Sequence, residues 1–455
     1  MAEISQKKRI WGWYFFDWAS QPYNTLILTF IFGPYFAQVA SQSLMGTGLD
    51  ETAAKALAQA YWGYGLTVTG LSIAFLAPIL GSISDNSGRK MPWIWFFSIM
   101  YVTGSAGLWL AAPDSFSVIQ TLMFFGIGLI GMEFATIFTN AYLPTLGDKA
   151  DLGRISGTGF AFGYVGGVVS LVVMLGLFQA TANGNTLFGL QPLFGLDPAT
   201  KADTRIVGPL SAIWFAVFMI PFFLYMRDVP LANAQKLSIK ASIAELLQTL
   251  RSLPSRPSLF AYLGSSMFYR DALNGLYTFG GIYAFGVLDW SITQIGVFGI
   301  LGAISGALFC FLGGYVDKAL GPKPVIVGSV LLLMSSAMLI ISLTPTSVLW
   351  LPVADGSSLP NIAFYVAGAM IGAGGGVIQA ASRNMMTRQA HPDRMTEAFG
   401  LYALSGKATS FMAPLLIALT SQITGSQRLG VTPLVVLFMI GLVLLLWVKP
   451  DGENE

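Results

Sequence analysis

The chain has 455 residues, of which 54% are apolar and only 10% charged, with a mean hydropathy of +0.67. Soluble globular chains carry about 25% charged residues, so most of this one must sit in hydrocarbon. Its 24 Lys+Arg against 22 Asp+Glu give a net charge of +2 with no basic stripe, which argues against nucleic acid. The single Cys310 excludes an internal disulfide, and one Cys with one His, the loop residue His391, argues against a metal site.

A spanning helix needs about 20 mostly apolar residues, and roughly twelve such segments follow one another. The first half places them near 13–41, 60–83, 92–112, 117–142, 156–180 and 208–227. The second half places them near 258–286, 292–316, 324–344, 361–384, 397–422 and 431–448. Backbone groups in lipid must be satisfied internally, so these are helices rather than strands. The basic patch Lys7-Lys8-Arg9 imitates a secretory signal. The stretch after it contains Asp17, Gln21 and Asn24 and lacks an obvious cleavage site, so it reads as the first, uncleaved span. Residues 1–227 and 258–455 are expected to form two six-helix bundles. Between them, 228–257 reads as a linker whose Ile239, Ile243, Leu246, Leu247 and Leu250 form an amphipathic helix on the membrane surface.

A charged loop occurs twice, each time where one apolar run stops and the next begins. The first copy places Asp85 four residues after Gly81 and is followed by Gly88, Arg89 and Lys90. The second places Asp317 four residues after Gly313 and is followed by Lys318, Gly321 and Lys323. This repetition across half the chain marks the two halves as versions of one design. With both termini on one side, that side collects 18 Lys/Arg and the opposite side 4, leaving Arg270 and Lys407 inside the membrane. Termini and loops are therefore expected to be cytoplasmic.

A charge inside a span costs about 2.5–3.5 kcal/mol on insertion scales, so each one needs a reason. Glu133, Arg270, Asp271 and Lys407 lie within predicted spans, and Asp17 is early in the first, beside Asn24. Asn140, Gln379 and Arg383 add polar groups nearer the loop end. Adjacent residues on a helix point about 100° apart, so Arg270 and Asp271 cannot share a partner. Glu133 and Asp271 read as proton carriers, ligands for a cationic substrate group, or structural partners.

The repeated loop resembles the cytoplasmic signature of the major facilitator superfamily, between helices two and three and again between eight and nine. The resemblance implies twelve helices in two pseudo-symmetric bundles, with helices one, four, seven and ten lining a central cavity. It also implies that the second helix packs on the eleventh and the eighth on the fifth. Asp85 is then expected near Arg394, and Asp317 near Arg154, as cytoplasmic latches.

Further segments resemble one branch of that superfamily, the vacuolar amino-acid effluxer-like (autophagy-related) transporters and their bacterial relatives. They are Trp13-Tyr14-Phe15-Phe16-Asp17-Trp18, Asn140-Ala141-Tyr142-Leu143-Pro144, Arg154 through Gly167, Gln379 through Arg383, and Glu397 through Lys407. The chain departs from the branch at helix seven, where Arg270 precedes Asp271 and Ala272 follows it. The expectation is an all-α secondary transporter of the bacterial inner membrane. It would be monomeric and without a cofactor, moving a small polar solute such as an amino acid, with a proton as the candidate coupling ion. No phosphate-binding Gly-x-x-x-x-Gly-Lys-Ser/Thr motif is present, so ATP hydrolysis is not the drive. A drug or peptide facilitator and a non-transporting membrane assembly factor stay open. An intramembrane enzyme lacks both metal ligands and a nucleophile–His pair.

Overall fold

The computed structural model describes residues 4–181, 183–228, 239–288, 290 and 292–453. All twelve predicted segments are helical, and among the described residues ten helical stretches are long and apolar enough to cross a membrane. The first predicted span is broken. Helix α1 (Gln6–Pro22) ends at its proline and passes through a π-helical turn, Tyr23–Phe30, into α2 (Phe32–Met45). Proline lacks the N–H that an α-helix needs, and a π turn is the compact way to absorb the misfit.

Helices α3 (Glu51–Ser87), α4 (Met91–Gly107), α5 (Val118–Asn140) and α6 (Leu152–Val173) follow. The short α7 (Ala202–Arg205) and the pair α8 (Val207–Phe218) and α9 (Ile220–Tyr225) complete the first half. Of the linker, the described part is α10 (Ile239–Ser252) and the turn after it; the proposed apolar positions Ile239, Ile243 and Leu246 lie outside the described side chains. The second half runs through α11 (Pro257–Leu288), α12 (Ile292–Leu320), α13 (Pro322–Ser342) and α14 (Leu359–Gln389). The predicted eleventh span breaks into α15 (Met395–Ala408) and α16 (Met412–Thr424). Short α17 (Gln427–Gly430) and α18 (Thr432–Leu444) close the chain. A two-residue-strand hairpin, β1 (Ser347–Val348) and β2 (Leu351–Pro352), joins α13 to α14, with Leu349 and Trp350 both left-handed at its tip.

The chain clusters into two compact units, residues 4–76, 88–139 and 162–228, and residues 77–87, 140–161 and 239–453. The boundary falls inside α3, α5 and α6, so their loop ends belong to the same unit as the second half.

The core of the first unit is aromatic. Tyr101 stacks on Phe215 with centroids 3.9 Å apart, and Tyr23 donates to the Phe125 carbonyl at 2.5 Å. Its helices approach where glycine removes the side chain: a Cβ on Gly131 would lie 2.5 Å from the Tyr101 nitrogen. In the second unit a Cβ on Gly157 would lie 2.7 Å from the Gly314 Cα, joining α6 to α12. Such close approach supplies the van der Waals contact that holds helices together in lipid, where no hydrophobic drive separates helix from solvent.

Candidate functional site

At the loop end of the second unit a carboxylate twice lies against the start of a helix. The first N–H groups of a helix lack partners, and a negative charge there is favourable. Asp85, 4% exposed, accepts from the Glu397 N–H at 2.8 Å and so caps α15 from α3. No side chain within α15 caps its start. Asp317, 2% exposed, lies against the start of α6, where a Cβ on Gly153 would come within 2.5 Å of its Oδ1. The aspartates of the two repeated loops therefore occupy matching places, each against the start of a helix. Their turns match as well, since Gly88 and Gly321 both adopt positive φ, 65° and 81°, to reverse the chain after α3 and α12.

The arginines proposed as latch partners behave differently from each other. Arg394 lies 3.6 Å from Glu397, inside the helix that Asp85 caps. Arg154 does not take Asp317: its Nε is 3.5 Å from Asp151, and Asp317 instead accepts from Asn384 Nδ2 at 2.8 Å. The reason is geometric. Gly153 brings the α6 backbone so close that the carboxylate is sealed under it, while Arg154, about 100° further round, faces Asp151. Lys318 of the second loop also reaches Asp151, at 2.7 Å, and this hydrogen bond is the main cause holding the Asp151 carboxyl below its usual range.

Arg383, one of the expected polar groups on the tenth span, is the centre of a buried clamp. It is 3% exposed and donates from Nε to Ser156 Oγ at 3.0 Å, from Nη2 to the Ser156 carbonyl at 2.8 Å, and from Nη1 to Asn140 Oδ1 at 3.2 Å. Its guanidinium also lies 4.2 Å from the centre of the Phe160 ring. Ser156 returns a bond to the Ala380 carbonyl at 2.7 Å. One planar fork thus ties α14 to the end of α5 and the first turns of α6. Gln379 turns back on its own helix, donating to Gly375 at 3.1 Å.

Deeper in the same unit, Arg270 and Asp271 do point apart. Arg270 donates to the Tyr402 carbonyl at 2.8 Å, sits 4.2 Å over the Tyr402 ring and packs against Gly406, next to Lys407 in the last turn of α15. Asp271, 1% exposed, accepts from the Ala413 N–H at 2.9 Å and caps α16 at the break in the eleventh span. Its Oδ1 has no hydrogen-bond partner among the described residues. Asp271→Ala would bury an unmet N–H and is expected to cost about 1–3 kcal/mol. Asp271→Asn keeps an acceptor and is expected to lose less, as thermal melting of the two purified variants would show.

In the first unit, Asp17 on α1 packs against Gly163 of α6, Asn24 lies in the π turn, and Glu133 is half-buried on α5. Sequence reasoning missed Ser156, Ser382, Asn384 and Asp228. Asp228 accepts from the Lys90 N–H at 2.9 Å to cap α4, and Ser382 binds the hydroxyl of Tyr269 at 2.7 Å. Asn384 had a signal, an amide immediately after Arg383, itself one of the polar groups singled out on the tenth span. Ser156 had none, because serine is ordinary in spanning helices. Among the described residues no group of three or more His, Cys, Asp or Glu is placed to hold a metal ion.

The family model described as "Vacuole effluxer Atg22 like" matches residues 5–453. An uncharacterized MFS-type transporter, YxiO of Bacillus subtilis (strain 168), is 24% identical over 444 residues, covering 98% of this chain and 95% of that one. Autophagy-related protein 22 of Cryptococcus neoformans var. neoformans serotype D (strain JEC21) is 26% identical over 298 residues, 63% of this chain and 48% of that longer protein. Among solved structures, the E. coli fucose:proton symporter FucP aligns with a TM-score of 0.67 at 14% identity, covering 97% of this chain and 98% of that one. That last likeness speaks to fold alone. With the family matched along nearly its whole length and the helices, repeated loops and caps in place, the chain belongs to the Atg22-like vacuole effluxer family and is a multi-pass membrane transporter of the major facilitator type.

Proposed function

We propose that this transporter moves a small polar solute by alternating access, with the repeated loops as the latches of one side. The observation that carries the reading is the mirror-related placement of Asp85 at the start of α15 and Asp317 at the start of α6. A carboxylate on a helix start is a reversible bond: it holds charge and N–H groups together when the loop end is closed and releases both to water when it opens. The excess of Lys and Arg at that end, 18 against 4, supports a cytoplasmic placement with both termini. In a bacterium the membrane would be the inner one, and a monomer suffices because both latches lie within one chain.

An amino acid or related metabolite is the favoured cargo, supported by the effluxer description of the family. A proton is the favoured coupling ion. Asp271 has one oxygen committed to the Ala413 N–H and the other without a partner among the described residues, which leaves room for a proton. Glu133 is the alternative carrier. The symporter named among the fold neighbours lends proton coupling a precedent in this fold.

The test is transport in reconstituted vesicles, with the solute chosen by a thermal-shift screen of amino acids, peptides, sugars and drugs. Asp85→Asn keeps an acceptor for the Glu397 N–H but loses the charge, a change of about 1.4 kcal/mol that would shift the closed population about tenfold. Uptake is expected to slow by a similar factor, and to fall when a protonophore removes the pH gradient. Wild-type rates in Asp85→Asn would end the latch reading, and gradient-independent uptake would end proton coupling.

A further inference from the structure

Residues 448–453, beyond the turn that ends α18, form no helix, yet three helices of the second unit hold them. Lys323, in the first turn of α13, donates from Nζ to the Val448 carbonyl at 2.7 Å. The Ser258 hydroxyl, in the first turn of α11, accepts from the Lys449 N–H at 2.8 Å and donates to Gln389 Oε1 at 2.6 Å. Gln389, at the end of α14, closes the ring by donating from Nε2 to the Lys449 carbonyl at 2.7 Å. Gly452 then turns the chain at a φ of 76°, so close to α14 that a Cβ would lie 2.7 Å from the Arg388 carbonyl. Glu453 accepts from the Ser258 N–H at 2.6 Å and so caps α11.

Midway along, the segment reaches outward. Asp451 pairs with Arg388 at 3.2 Å and with Lys149 in the loop between α5 and α6. That loop also carries Asp151, which Lys318 holds at 2.7 Å, and leads to Gly153, against which Asp317 lies.

The two attachments differ in strength. Val448, Ser258 and Gln389 are each 1% exposed, and breaking buried hydrogen bonds leaves polar groups without water. The side chains of Lys149 and Asp451 are 56% and 31% exposed, and an exposed pair shifts an equilibrium by only roughly two- to fivefold. One end is therefore fixed, and the other is held by a contact that thermal motion breaks readily. A strap that lets go on every cycle needs this asymmetry. Two fixed ends would freeze the loop, and two weak ones would not hold it.

We propose that residues 448–453 are a strap, fixed on α11, α13 and α14, that closes on Lys149 through Asp451 and steadies the second latch while it is shut. Its part in gating rests on the latch reading above, whereas its closure can be read without transport.

Hydrogen exchange of the full chain in phosphatidylcholine nanodiscs, followed by mass spectrometry, tests the closure. Lys149→Gln leaves Arg388 its carboxylate and is expected to raise exchange over 145–151 roughly two- to fivefold, with the first turn of α11 unchanged. Asp451→Asn is expected to raise it by a similar factor. The double variant should add nothing further, since all three lose the same contact to the loop. For gating, Lys149→Cys and Asp451→Cys in one chain are joined by a short bismaleimide, the native Cys310 being buried. The joined protein is expected to lose uptake about tenfold or more, as a gate held shut does. The unjoined pair should stay within about fivefold of wild type. Unchanged exchange over 145–151 in both single variants would overturn the strap, and so would a joined protein that transports at the unjoined rate. A wild type that moves no solute would count against the transport reading alone, with exchange still deciding the strap.

Discussion

Gly81→Ala is expected to cut transport by at least tenfold while leaving the protein folded and membrane-inserted. A Cβ at this position would lie 2.7 Å from the Thr396 carbonyl and 2.8 Å from both the Cα and the nitrogen of Glu397. All three neighbours are backbone, so no side chain can swing aside. Either α3 or the start of α15 must move, and the 2.8 Å bond from the Glu397 N–H to Asp85 lengthens with it. Within α3 itself, alanine improves helix propensity by about 0.8–1.0 kcal/mol over glycine. Local helix stability and latch closure are thus pushed in opposite directions by one methyl group. Gly400 on α15 repeats the close approach, with a Cβ 2.7 Å from the Ala77 carbonyl. The check is initial uptake rate beside melting temperature. A Gly81→Ala protein that transports at the wild-type rate would remove the first loop from the gating machinery.

Arg383→Ala is expected to lower stability by about 2–4 kcal/mol, the scale of several hydrogen bonds from a charged donor lost together without full additivity. Ser156 would be left as a buried acceptor and Asn140 as a half-buried one, with a void where the guanidinium stood against Phe160. Arg383→Lys is expected to recover little, because an ammonium cannot reach the Ser156 hydroxyl, the Ser156 carbonyl and Asn140 in one plane. Melting temperature separates this clamp from a substrate-ligand role. A variant that melts like wild type yet no longer responds to solute would assign Arg383 to the substrate site.

Arg383 also shows where sequence reading stops. Its place near the loop end of the tenth span marked it as a polar group of the expected cavity helices. Its partners, a serine and an asparagine more than 220 residues earlier, carry no periodic signal that ties them to it. Asp317 makes the same point from the other side. The repeated loop placed it at a helix end, the resemblance implied a neighbour at the start of the fifth span, and Asp317 lies against Gly153 there. The choice of Asn384 over Arg154 depended on how closely Gly153 approaches, which no spacing encodes. The first span and the eleventh read as ordinary apolar runs, yet one passes through a π turn and the other breaks at Thr409–Phe411.

The sequence by itself determined the membrane class, the helical segments, the doubled design and the residues too costly to bury idly. Each of these follows from local hydropathy, charge and repetition along the chain. Only the tertiary structure decided which groups each carboxylate meets, which side chains Arg383 and Arg154 reach, and that the loop ends of α3, α5 and α6 join the unit of the second half. Those outcomes turn on approaches of a few tenths of an ångström between segments hundreds of residues apart, where the presence or absence of one Cβ selects the partner.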